Sequence, residues 1–171
     1  MSKEMIETRS KVLSRAQLAL EVARRQEAGE RAVFTNGCFD LLHLGHIRYL
    51  QEARSLGDFL ILGLNSDESV RHLKGPTRPL VSELERAELL AALACIDYVT
   101  IFGEPTASEL IVTLEPAIYV KGGDYAGSVH GVDPEKLPEA RIVFGYGGEV
   151  SLISYLPGHS TTELIQKIQR L

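Results

Sequence analysis

Two continuous apolar runs flank an amphipathic stretch, and that pattern restricts the fold more than any other feature of the chain. Residues 31–35 (Arg-Ala-Val-Phe-Thr) run into the turn pair Asn36-Gly37, and residues 58–64 (Asp-Phe-Leu-Ile-Leu-Gly-Leu) are apolar again. Between them, residues 45–56 carry Ile47, Leu50 and Ala53 at helical spacing. Strands read as unbroken apolar runs when both faces of their sheet are covered. A helix between two such strands makes a parallel, right-handed βαβ unit.

The alternation continues. Ser82 and Glu85 form a capping box for a helix over 82–94, and 98–102 is a third strand. Thr106 and Glu109 form a second box before an apolar stretch ending at Leu114. Residues 117–121 and 149–153 are strands, 160–171 a closing helix, and 14–25 a helix before the first strand. The expectation is an α/β fold: a Rossmann-like, doubly wound parallel sheet of about five strands with helices on both faces. At 171 residues there is material for one good core. The expected division is an N-terminal helical extension over 1–30 and one domain over 31–171.

A net charge of −5 with no basic stretch argues against a nucleic-acid partner, which needs a cationic footprint. A site for one small polyanion needs only local cations and backbone N–H groups. No apolar run approaches the roughly 20 residues that span a bilayer, so no membrane partner is expected. The two cysteines, Cys38 and Cys95, and an N-terminal stretch carrying acids instead of an apolar core point to a cytoplasmic location.

In open α/β sheets, ligands bind beyond the C-terminal ends of the strands. After the first strand stands Thr35-Asn-Gly-Cys-Phe-Asp-Leu-Leu-His43-Leu-Gly45-His46. Gly37 is expected to make a tight turn, and Gly45 to let backbone approach a ligand. His43 and His46 flank the start of the next helix, where an anion is favoured. Taken alone they could equally be turn histidines or half a metal site. Ser160-Thr161-Thr162 opens the last helix, and Ser160 with Glu163 also reads as a plain capping box. Lys74 stands in a loop after the second strand, near Arg78, and either could be simply solvated. Asp40 suits a structural role in the turn.

Together, Asn-Gly-Cys-Phe-Asp followed by His-x-Gly-His at a helix start resembles the signature of the cytidylyltransferase-like nucleotidyltransferase superfamily. Within it, Phe34 to His46, Leu64-Asn-Ser-Asp67, Leu73-Lys-Gly-Pro-Thr-Arg-Pro79, Val120-Lys-Gly-Gly-Asp-Tyr125 and Ser160-Thr-Thr162 resemble the stand-alone adenylyltransferases of ADP-heptose synthesis. The resemblance weakens between Ala126 and Glu139.

It implies AMP transfer from ATP to a sugar 1-phosphate, with Mg²⁺ accompanying the ATP and a homodimeric state. The catalytic residues it implies are His43, His46 and Lys74. The nucleotide-binding residues are Thr35, Asn36, Gly37, Cys38, Phe39, Gly45, Arg78, Lys121, Gly122, Asp124, Ser160, Thr161 and Thr162. No protein metal ligand is implied. Two alternatives stay open at this stage: a CTP-dependent cytidylyltransferase acting on glycerol 3-phosphate or a similar alcohol phosphate, and a nucleotide-binding regulatory domain without turnover.

Overall fold

The structure, a computed structural model, describes residues 8–123, 131–133, 135–154 and 156–170. Five strands form one parallel sheet: β1 (Ala32–Gly37), β2 (Phe59–Asn65), β3 (Tyr98–Phe102), β4 (Ile118–Gly122) and β5 (Glu149–Ile153). Their order is β3-β2-β1-β4-β5. The helices are α1 (Arg15–Glu27), α2 (Leu44–Ser55), α3 (Asp67–Lys74), α4 (Glu83–Ala91), α5 (Ser108–Leu114), α6 (Glu139–Gly145) and α7 (Thr161–Ile168). Among the described residues no helix is long and apolar enough to cross a membrane.

Side chains alternate across each strand, so the sheet has two covered faces. Phe34, Phe59, Ile61 and Tyr119 pack against Leu18 and Val22 of α1, Ile111 of α5 and Val143 of α6. Val33, Leu60, Leu62, Leu64 and Val120 pack on the other face against Leu50 of α2 and Leu90 of α4. This is the doubly wound sheet that the alternation of apolar runs leads one to expect. The chain leaves β1 toward β2 on one side and reaches β4 on the other. The topological switch point therefore lies between the C-terminal ends of β1 and β4, where such folds bind ligands.

The first helix is part of this core. Ser14 and Gln17 cap α1 reciprocally, and Leu18 and Val22, one turn apart, are buried. The Leu13 amide donates to the Val99 carbonyl at 2.9 Å, so residues beside the 3₁₀ turn Thr8–Lys11 cover the β3 edge.

Two short helices were not anticipated. α3 occupies part of the expected loop and puts Lys74 at a helix end. Its eight residues bury only Ser69 and Val70, too little apolar periodicity to register. α6 has seven residues. The capping box expected at Thr106 and Glu109 does not form: Ala107 precedes α5 without a side-chain cap. Glu109 instead accepts from Arg15 Nη1 at 3.1 Å. The box at Ser82 and Glu85 is present as read.

One buried cation holds the strand ends together. The Arg86 side chain is fully enclosed. Its Nη1 donates to the Cys38 carbonyl (2.6 Å) and the Asn65 carbonyl (2.9 Å). Its Nε donates to Val81 O (2.9 Å) and its Nη2 to Asp67 Oδ1 (2.7 Å). We expect Arg86→Met to lose about 3–5 kcal/mol of stability in urea unfolding, because a carboxylate and three carbonyls lose their donor. Arg86→Lys recovers only part of this, since one ammonium cannot reach four acceptors. A loss below about 1 kcal/mol for Arg86→Met would contradict this role.

Candidate active site

The switch point opens into a cleft of about 880 Å³. Its floor is the β1 end, Asn36 to Phe39, with Lys121 and Gly122 of β4. One wall is the start of α2, with His43, Gly45 and His46; another is the segment into α7, from Leu156 to Thr162; Lys74 stands at the rim.

His43 is the N-cap residue of α2, in extended conformation. Its Nδ1 accepts the His46 amide at 3.4 Å, which puts the proton of the neutral ring on Nε2. The His43 and His46 rings stack with centroids 3.8 Å apart. Both imidazoles resist protonation. Burial, then His159, lowers the His43 pKa. Burial, then the charges of His43 and Lys74, pushes His46 down to about 4, with the Leu41 carbonyl acting weakly against this. His46 Nδ1 is enclosed without a hydrogen bond of ordinary geometry among the described residues. The pair therefore offers neutral N–H donors at neutral pH. A bound polyanion would raise both pKa values.

Two glycines of the site make room for neighbouring groups. Gly37 is not the left-handed residue of the turn; Phe39 is, at φ 44°. A Cβ on Gly37 would lie 2.9 Å from the Phe39 ring, so the glycine makes room for that ring, which packs 5.0 Å from His46. A Cβ on Gly45 would meet His159 at 3.1 Å. Gly45 thus lets the chain before α7 close onto α2.

Across the cleft, Ser160 accepts the Glu163 amide at 3.1 Å, the cap half of the expected box, and its hydroxyl donates to the Glu163 carboxylate at 3.0 Å. Thr161 Oγ1 donates to the Leu41 carbonyl at 3.5 Å, and the Thr162 hydroxyl has no partner among the described residues. On the floor, Asn36 Oδ1 accepts from both Lys121 Nζ and the Tyr119 hydroxyl at 2.9 Å. Cys38 is half-buried, and burial raises its thiol pKa, which does not suit a nucleophile.

Of the residues the sequence points to, His43, His46, Lys74, Asn36, Gly37, Cys38, Phe39, Gly45, Lys121, Gly122, Ser160, Thr161 and Thr162 line this one cleft. Two do not line it. Thr35 is fully buried, its hydroxyl 2.6 Å from that of Tyr49. Arg78 donates to Asp40 Oδ2 at 2.6 Å, and Asp40 also accepts the Leu80 and Val81 amides, so this pair organises the loop before α4. That is the structural role expected of Asp40. Asp124 lies outside the described residues. Sequence reasoning missed Tyr49, Glu139 and His159, all on the cleft wall. Tyr49 follows His46 by one helical turn and His159 precedes Ser160, so both were within reach; nothing local marks Glu139.

A 3-2-1-4-5 parallel sheet with imidazoles, a lysine and a hydroxyl-rich helix start around its switch point defines a Rossmann-like nucleotide-handling protein. The cytidylyltransferase-like family matches residues 34–167, and the chain belongs to it, as a nucleotidyltransferase. The chain is 55% identical over 170 residues to the bifunctional protein HldE of Syntrophotalea carbinolica, covering 98% of this chain and 33% of that protein. It is 54% identical over 159 residues to the bifunctional protein HldE of Pelobacter propionicus, covering 93% of this chain and 31% of that one. The chain thus spans about a third of the length of the curated relatives it matches. Among solved structures, the lipopolysaccharide core biosynthesis protein from Thermoplasma volcanium GSS1 is similar with a TM-score of 0.58 and 28% identity, covering 75% of this chain and 98% of that one.

The His46 environment has a measurable consequence. The unfolded chain takes up a proton near the ordinary value of 6.5, whereas folded His46 refuses it until about 4. Its contribution to stability is complete above about pH 6.5 and is lost as the pH falls from there toward 4. We expect NMR titration to show a neutral His46 at pH 5, and His46→Asn to flatten the fall in Tm over that window. A His46 midpoint near 6.5 would contradict the burial argument.

Proposed function

We propose that the chain transfers AMP from ATP to D-glycero-β-D-manno-heptose 1-phosphate, giving ADP-heptose and pyrophosphate. The observation that carries this reading is the stacked pair His43 and His46 in one cleft with Lys74 and Ser160 to Thr162. Two further supports are the motif resemblance and the relatives, named bifunctional HldE and lipopolysaccharide core biosynthesis protein.

The acceptor phosphate is already anionic, so the reaction needs no general base. One of its oxygens attacks the α-phosphorus in line. The new P–O bond forms as the bond to the bridging oxygen breaks, and that electron pair leaves with pyrophosphate. Catalysis is then positioning and charge stabilisation. His43 and His46 donate to phosphate oxygens, Lys74 supplies positive charge at the rim, and Ser160 to Thr162 hold the far end of the triphosphate.

Mg²⁺ would arrive with the nucleotide, whose oxygens favour it over a dedicated protein cage, and would neutralise phosphate charge. Among the described residues no three His, Cys, Asp or Glu side chains come together as such a cage. A cytoplasmic location and a homodimer belong to the same proposal; sedimentation reads the latter.

His43→Ala and His46→Ala should each lower kcat by about 10²–10³ while changing ATP binding little, as loss of a transition-state donor does. Wild-type turnover in either would defeat the assignment. Replacing Thr161 and Thr162 together by Val should raise the KM for ATP about tenfold or more. A fall in Tm without that change would make them merely structural. Side-by-side kcat/KM values should favour ATP with heptose 1-phosphate. A preference for CTP with glycerol 3-phosphate would overturn the heptose reading alone.

A further inference from the structure

Two carboxylates are buried among the described residues, Asp40 and Glu139. Asp40 is saturated by Arg78 and two amides. Glu139 is not. It is 6% exposed, yet among the described residues it accepts only one long hydrogen bond, from the Ala107 amide to Oε1 at 3.4 Å. Oε2 has no protein partner among the described residues. Glu139 lines the cleft, whose wall it shares with Thr106 and Lys121.

Lys121 is the complementary charge. Burial pushes its ammonium pKa down, and the attraction of Glu139 is the first influence working against that. The two charges feel each other without forming an ion pair; the Lys121 ammonium goes to Asn36 instead. An unpaired buried carboxylate is costly to a folded protein. A hydroxyl between the two groups satisfies both, because its O–H donates to the carboxylate and its oxygen accepts from the ammonium.

We propose that Glu139, with Lys121 across the gap, is a receptor for a sugar hydroxyl of the bound substrates. The inference rests on the nucleotidyl-transfer reading above. The acceptor sugar and the nucleotide ribose offer this same chemistry, and deoxy analogues of each tell them apart. Glu139→Gln keeps the acceptor for the Ala107 amide and removes the charge. It should raise one KM, for the sugar 1-phosphate or for ATP, by about 10- to 100-fold.

The matching analogue should lose a similar factor in the wild type and little more in Glu139→Gln, the non-additivity expected of a direct contact. Coupling to deoxy sugar 1-phosphates assigns the hydroxyl to the acceptor; coupling to 2′- or 3′-deoxy-ATP, read in binding of a non-hydrolysable ATP analogue as well, assigns it to the ribose. Either supports the receptor. If neither KM moves, if analogue losses simply add, or if only Tm falls, the proposal is overturned. Wild-type protein that binds ATP but turns over no sugar 1-phosphate would remove the proposed function, while the ATP arm would still decide this one.

Discussion

The guanidinium of Arg86 sits where the ends of β1 and β2, the start of α3 and the entry to α4 meet, and the cleft depends on it. Parallel strands end in carbonyls that no further strand satisfies, and at a switch point those ends must also splay to admit a ligand. Arg86 resolves the conflict at Cys38 and Asn65 by donating to both carbonyls from beneath. Its charge is balanced by Asp67, so it needs no counter-charge from the cleft itself. Asp40 does the reciprocal work nearby, binding Arg78 and the amides that lead into α4. Between them these two residues fix the turn on which Phe39 and His43 stand.

That scaffold explains the electrostatics of the site. Phe39, held in a left-handed conformation, lays its ring against His46 and helps dry it. Stacking His43 on His46 makes two imidazolium charges in contact unfavourable. A neutral pair carries no mutual charge repulsion, and the α2 cap holds the His43 ring in place. Lys74 and Lys121 supply positive charge, one at the rim and one in the floor, so a chain of net charge −5 still presents cations to this cleft.

Much of this was legible in the sequence because it is local. Strands buried on both faces announce themselves as apolar runs, and the Ser82-Glu85 cap and the His43-His46 spacing are contained within a few residues. What was not legible is long-range competition for charge. Arg78 is drawn to Asp40 across 38 positions, and Arg86 reaches 48 positions back to Cys38. Glu109 leaves its expected cap for Arg15, and Glu139 enters the cleft only because α6 folds against α5. Short helices such as α3 bury too few side chains to leave a period, so Lys74 read as a loop residue although it ends a helix.

The central claim is nucleophilic attack at the α-phosphorus of ATP by the phosphate of a sugar 1-phosphate, and the products report it directly. Phosphorus NMR of the protein with ATP, Mg²⁺ and D-glycero-β-D-manno-heptose 1-phosphate should show the paired, mutually coupled signals of a new diphosphate diester, with one equivalent of inorganic pyrophosphate. Accumulation of ADP, which signals attack at the γ-phosphorus, or a spectrum unchanged after prolonged incubation, would contradict the account.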